Sequence, residues 1–274
     1  NGAGSVIKDS VLTTDDSLSL YLIGRDKFGN FKDNISGNWS TSNEIGNFSQ
    51  SNNTSNVVFR ANIVGSSSIK AISGDFSATT GAITVTIGEL SKLKIRDGTN
   101  GGGVEVGDIT LTTDESITLY AAGYDADDNY ISDQTVAWSK TGSLDGISVN
   151  AKTYTFSPKT AATSGTIVIN ATAAGITSDA TGTISVTVGT LDNVSIVDAQ
   201  GSNGKDINTK TLTSDAAFTF YLAGYDQDQN FIRNVKAQWS VQGDIGSLNS
   251  GTSFTTSSIF TASKIGNGVI SADT

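Results

Sequence analysis

The chain contains no Cys, no His and no Met among its 274 residues, and only one Pro, Pro158. Those absences exclude much chemistry before any pattern is read. Without His or Cys there is no Ser-His-Asp or Cys-His nucleophile, no thiolate or imidazole zinc site, no haem or iron–sulfur ligation and no disulfide framework. Positive charge is also scarce: 17 Lys and Arg face 27 Asp and Glu, giving a formal net charge of −10. Nucleic acid is therefore not an expected partner, because such a surface repels phosphate and lacks a basic stripe. The longest apolar runs are a few residues, so no membrane insertion is expected of this segment. The chain opens at Asn1 without a basic-then-apolar leader, which reads as a processed product or a fragment.

What is present suits short strands. Charged residues make up 16% of the chain, below the roughly 25% of ordinary soluble domains, while Ser and Thr together number 71, so solubility rests on hydroxyls and amides. Thirty Gly accompany a hydrophobic fraction of 36%, mostly Val, Ile, Leu and Ala, a composition for strands broken by many turns.

Comparison of the chain with itself decides its organisation. The segment LTTDDSLSLYLIGRDKFGNF from Leu12 recurs as LTTDESITLYAAGYDADDNY from Leu111 and as LTSDAAFTFYLAGYDQDQNF from Leu212, at offsets of 99 and 101. Trp39, Trp138 and Trp239, the only tryptophans, repeat at the same offsets. A second marker, AITVTIGELSKLKIRD from Ala82, returns as TISVTVGTLDNVSIVD from Thr183 and places the boundaries after Gly88 and Gly189. The expected units are repeat 1 (1–88), repeat 2 (89–189) and repeat 3 (190–274). Each alternates with period 2: Leu18, Leu20 and Leu22 in repeat 1 match Ile117, Leu119 and Ala121, then Phe218, Phe220 and Leu222, as one apolar face. Ile35 with Trp39, Val136 with Trp138 and Val235 with Trp239 are expected on one face of the next strand. About seven short strands per 100 residues around a central Trp predict an all-β chain of tandem β-sandwiches.

The run GYDADDNY at Gly123 to Tyr130, followed by VAWS at Val136 and later by GTIVINATAAG and TISVTVG, resembles the bacterial immunoglobulin-like repeats of invasin- and intimin-type surface proteins. The resemblance covers the whole chain. It implies an immunoglobulin-like fold and an extracellular, cell-surface setting.

Matching the repeats residue by residue leaves repeat 1 without a counterpart of the strand LSKLKIRD, and repeat 3 without a counterpart of the strand ending at Gly189. The expectation is a window from a longer array, with strand exchange between molecules as the sharper alternative. One residue, Glu89 or Thr190, separates each boundary Gly from the next repeat's first Leu, which predicts a semi-rigid rod.

Oxygen-bearing residues at alternate positions mark the candidate sites. Asp125, Asp127 and Asn129 in repeat 2 recur as Asp226, Asp228 and Asn230 in repeat 3, a pattern that suits calcium, although the helix-loop-helix motif is excluded because Tyr130 and Val136 hold its sixth and twelfth positions. In repeat 1 the run is Asp26, Lys27, Phe28, Gly29, Asn30, which favours a hairpin turn as the role common to all three. Asp97 and Asp198, with Asp108 and Asp206 nearby in sequence, are candidates for a calcium site at the joints, and solvated loop carboxylates are the plainer alternative. TNGGGVEVGD is expected to be a flexible loop rather than a phosphate cradle. Tyr21, Tyr120 and Tyr221 are expected on the outer face of a sheet. Asn-x-Ser/Thr sequons occur at Asn34, Asn38, Asn47, Asn52, Asn53, Asn170 and Asn193. No catalytic residue and no cofactor other than calcium is expected.

The functional expectation is a non-enzymatic adhesin stalk. A self-assembling surface-layer or filament subunit is the alternative, and a carbohydrate-binding accessory module a third. Partners would be neighbouring copies of the protein, or a host or surface ligand bound through other parts of the parent chain.

Overall fold

The computed structural model describes residues 2–171 and 173–274. The chain is all-β with an immunoglobulin-like sandwich architecture. Among the described residues there is no α-helix, only one 3-10 turn at Gly201–Asn203.

Repeat 2 shows how the alternation becomes a sandwich. The strand Ile117–Tyr124 is flanked by Lys92–Arg96 on one side and by Tyr130–Asp133 and Thr153–Phe156, all antiparallel. The facing sheet holds the Trp strand Val136–Lys140 between Val149–Ala151 and Ile167–Asn170. After Lys92–Arg96 the chain crosses over, and Ile109–Thr112 pairs in parallel with the last strand, Ile184–Thr187. Because successive residues of a strand face opposite ways, Leu119, Ala121 and Trp138 all point between the sheets and are buried.

Three hydrophobic clusters form, one from each repeat's residues, and each includes its Trp. The indole N–H groups donate to backbone carbonyls of Thr54, Ala151 and Thr255, each at 3.0 Å, so the polar handle of each buried ring is satisfied. Leu20 and Leu22, Leu119 and Ala121, and Phe220 and Leu222 are buried on the apolar face. Ile35 and Val235 instead precede their strands, which start at Asn38 and Ala237; both still pack against the cores.

One sequence expectation needs correction. The Gly-rich loop after Asp97 is pinned: Asp97 Oδ1 accepts from Val104 N at 2.7 Å, and the Arg96 guanidinium donates to the carbonyls of Gly102 and Gly103. The three tyrosines alternate with the buried residues of the apolar face and so lie on the outer face, where Tyr21 is 65% exposed and Tyr120 and Tyr221 are half-buried.

Candidate functional site at the joints between repeats

Each Asp-x-x-x-Asn segment first makes its own turn. In repeat 2, Asp125 Oδ1 accepts from the backbone N–H groups of Asp127 (3.0 Å) and Asn129 (2.8 Å), and Asn129 Nδ2 donates to Oδ2 at 2.9 Å. Asp226 does the same with Asp228 and Asn230, and Asp26 with Phe28 and Asn30. The fourth residue of each turn has positive φ: Gly29 at 87°, Asp128 at 67° and Gln229 at 65°. A side-chain carboxylate that hydrogen-bonds its own backbone in this way offsets the cost of the left-handed residue.

Two of the three carboxylates then do something the third does not. Asp125 is fully buried, and its Oδ2 accepts from the Thr14 hydroxyl of the preceding repeat at 2.6 Å and from Gly88 N at 3.3 Å. Asp226, also fully buried, accepts from the Thr113 hydroxyl at 2.6 Å and from Gly189 N at 3.1 Å. The neighbouring carboxylates Asp15 and Asp114 accept from the connecting residues, Glu89 N at 2.8 Å and Thr190 N at 2.6 Å. The backbone N–H groups of Gly88, Glu89, Gly189 and Thr190 are thus each held at the crossing, that of Gly88 also by the Thr14 hydroxyl at 2.8 Å. A side chain there would displace the carboxylates, because a Cβ on Gly88 would lie 2.4 Å from Asp15 Oδ2 and one on Gly189 would lie 2.3 Å from Asp114 Oδ1.

The remaining residues of the two motifs reach across the same joints. Asp127 pairs with Arg60 at 3.3 Å, and Asp228 with Lys159 at 3.1 Å. Asn129 Nδ2 donates to the carbonyl of Asn62, Asn230 Nδ2 to that of Lys159, and Asn230 Oδ1 accepts from Ala161 N at 3.0 Å. The first joint lacks a counterpart of that last bond among the described residues, and the side-chain oxygen of Asn62 is buried there without a partner. The second joint is the better satisfied.

Burial alone would raise the pKa of these carboxyls. Against it, hydrogen bonds from Thr113, Asn230 and Gly189 bring Asp226 down to about 2. For Asp125 burial likewise opposes, and donors on Thr14, Asn129 and Gly88 hold the carboxyl below its ordinary value. A buried carboxylate without such donors would be strongly unfavourable, so its ionised form depends on the neighbouring repeat.

The structure therefore places all six candidate ligands, Asp125, Asp127, Asn129, Asp226, Asp228 and Asn230, in two inter-repeat clusters. Within each cluster the hub carboxylate is surrounded by donors, the second carboxylate faces a cation, and no group of three or more metal-ligating acidic side chains occurs among the described residues. Asp97, Asp108 and Asp198 are not at these clusters: they accept from Val104 N, Thr183 N and Lys205 N within their own repeats, so the idea of a joint site built from them is corrected. Thr14, Thr113, Asp15 and Asp114 were the residues missed. Their signal was present in the recurring Leu-Thr-Thr-Asp run, but nothing local says that its hydroxyl meets an aspartate 111 or 113 residues away.

No protein-family model matches the chain, and no curated protein matches it. Among solved structures, the chain is similar to the Escherichia coli adhesin FdeC at 13% identity and a TM-score of 0.38, over 96% of this chain and 88% of that one. Cadherin domains 1–4 of protocadherin gamma B7 follow at 10% identity, TM-score 0.35, over 95% and 67%. The S-layer protein SbsC is similar at 12% identity, TM-score 0.27, over 91% of this chain and 35% of that one. No helix among the described residues is long and apolar enough to cross a membrane.

Proposed function

We propose that the chain is a run of three immunoglobulin-like modules acting as a semi-rigid, non-enzymatic spacer in an extracellular cell-surface protein of the adhesin-stalk kind. The observation that carries this reading is the buried aspartate hub at each of two joints, closed by the preceding repeat's threonine and by the connecting glycine. A flexible linker leaves neighbouring modules free to swing, whereas one connecting residue held at its N–H by a carboxylate does not. Such an array sets a distance and carries load without a pocket. The resemblance to invasin- and intimin-type repeats supports the same setting.

Calcium enters this reading as a ligand to be tested at Asp127 and Asp228, where it would have to displace Arg60 and Lys159. The deciding experiment is negative-stain electron microscopy of the parent protein with calcium and with chelator. Separate beaded rods support the stalk; ordered sheets or filaments would make the chain a coat subunit and overturn it.

A further inference from the structure

Hydrogen bonding sorts the seven Asn-x-Ser/Thr sequons into two groups. In repeats 2 and 3 the side-chain nitrogen of each sequon asparagine is engaged: Asn170 Nδ2 donates to Ser139 Oγ at 3.2 Å, and Asn193 Nδ2 donates to Asp192 Oδ2 at 3.4 Å and to the Asp226 carbonyl at 3.5 Å. In repeat 1, Asn34, Asn38, Asn47, Asn52 and Asn53 are all exposed, and among the described residues none of their side-chain nitrogens donates a hydrogen bond. Asn38 uses only its side-chain oxygen, which accepts from Asn53 N at 3.0 Å.

The backbone then separates these five. Asn34, Asn38 and Asn47 lie in the strands Phe31–Asn34, Asn38–Thr41 and Gly46–Phe48, held in ladders. Asn52 and Asn53 lie in the loop between Gly46–Phe48 and Asn56–Ala61, where Asn53 takes a left-handed backbone at φ 48°, which asparagine tolerates. The loop is longer than its counterpart in repeat 2, since the Trp39 indole donates to a carbonyl 15 residues on and that of Trp138 to one 13 residues on. Repeat 3 shows what an asparagine does in this loop when it has a structural role. Asn249 Oδ1 accepts from Ile259 N at 2.7 Å and from Ser258 Oγ at 3.2 Å, tying the loop to the next strand, and it belongs to no sequon. In repeat 1 Ser49 makes that tie, its hydroxyl accepting from Val58 N at 3.1 Å. Asn52 is left with a side chain that makes no hydrogen bond among the described residues.

We propose that Asn52 is the acceptor of an N-linked glycan, with Thr54 as the hydroxyl residue of its sequon. The donor is a sugar whose anomeric carbon is esterified to a lipid-borne pyrophosphate, delivered by a membrane-bound transferase. Asn52 Nδ2 forms a bond to the anomeric carbon while the bond from that carbon to the phosphate oxygen breaks. The lipid pyrophosphate leaves with the electron pair, and one amide proton passes to solvent. A bulky hydrated group suits this stretch, because Asp33 and Glu44 are the only charged residues between Lys32 and Arg60. The assignment rests on the extracellular setting proposed above.

The test reads the parent protein from its own cells. Intact cells are biotinylated briefly with an impermeant reagent, and the captured protein is denatured, digested with trypsin and mapped by mass spectrometry with electron-transfer fragmentation. All five sequon asparagines of repeat 1 fall in one tryptic peptide, residues 33–60. The expected result is a glycan mass on Asn52 in most copies, with none on Asn170 or Asn193. Thr54→Val should abolish the addition and Thr54→Ser, which keeps the hydroxyl, should retain it. Thermal melts check both variants, because Thr54 Oγ1 also donates to the Asn56 carbonyl at 2.8 Å. An unmodified peptide 33–60, a glycan on another residue in place of Asn52, or unchanged addition in Thr54→Val would overturn the proposal. A captured but unmodified chain overturns this assignment alone, whereas a chain that the reagent never reaches overturns the surface setting and this assignment with it.

Discussion

Replacing Thr113 with valine removes one oxygen and leaves the volume nearly unchanged, so it isolates the hub of the second joint. The lost bond is the 2.6 Å contact from a hydroxyl to a buried carboxylate. A hydrogen bond to a charged group contributes about 1.5–3 kcal/mol, and the Asp226 carboxylate would then face a methyl group. Gly189 N, Asp228 N and Asn230 still hold that carboxylate, so the expected loss is about 2 kcal/mol rather than the full cost of an unpaired buried charge. Because Thr113 lies in repeat 2 and Asp226 in repeat 3, the loss should fall on the coupling between them. Urea denaturation followed by pulsed hydrogen exchange and mass spectrometry keeps all three core tryptophans in place and reads each repeat separately. Thr113→Val should shift the transitions of the segments around Trp138 and Trp239 apart while leaving that around Trp39 in place. Equal destabilisation of all three, or none, would refute the assignment of Asp226 as a joint hub.

The acid response follows from the same carboxylate. The pKa of Asp226 is lowered in the folded state to about 2, so its contribution is present above its ordinary value of 3.8 and is lost as pH falls toward 2. That shift corresponds to about 2 kcal/mol, and Asp226→Asn should remove the acid-dependent part of second-joint coupling in melts between pH 5 and pH 2. Gly189→Ala should loosen the second joint without lowering core stability, because its Cβ meets the Asp114 carboxylate; proteolysis at the joint reads this directly. Arg60→Ala should cost no more than about 1 kcal/mol, since the Arg60 side chain is 58% exposed and its pair with Asp127 is screened by salt. Trp138→Ala, by contrast, empties a core and should cost about 3–5 kcal/mol in urea unfolding.

The cores were legible because burial imposes period 2 on a strand, and Leu119, Ala121 and Trp138 can satisfy it in only one way. The turn at Asp125 was legible for a similarly local reason, since an aspartate bonds its own backbone two and four residues on. The joint was not, because its donors come from another repeat. Asp125 and Asp127 in isolation look like ligands for a cation, and only the fold brings Thr14, Gly88 and Arg60 to them. The second carboxylate is Asp127 in repeat 2 and Asp228 in repeat 3, while repeat 1 has Phe28 at that position, 78% exposed. Loop contacts such as Arg96 with Gly102 and Gly103 escaped notice because Gly-rich sequence suggests freedom, whereas a guanidinium can tie down bare carbonyls.

If the joints hold neighbouring repeats in fixed orientation, the distance across each joint is single-valued. Since the chain has no Cys, spin labels can be placed uniquely at Asn52→Cys with Asn150→Cys across the first joint, and at Asn150→Cys with Thr252→Cys across the second. All three sites are exposed. Pulsed electron spin resonance at pH 7 should give one narrow distance distribution for each pair, with Thr113→Val broadening only the second. Broad distributions in the unaltered chain would contradict the account.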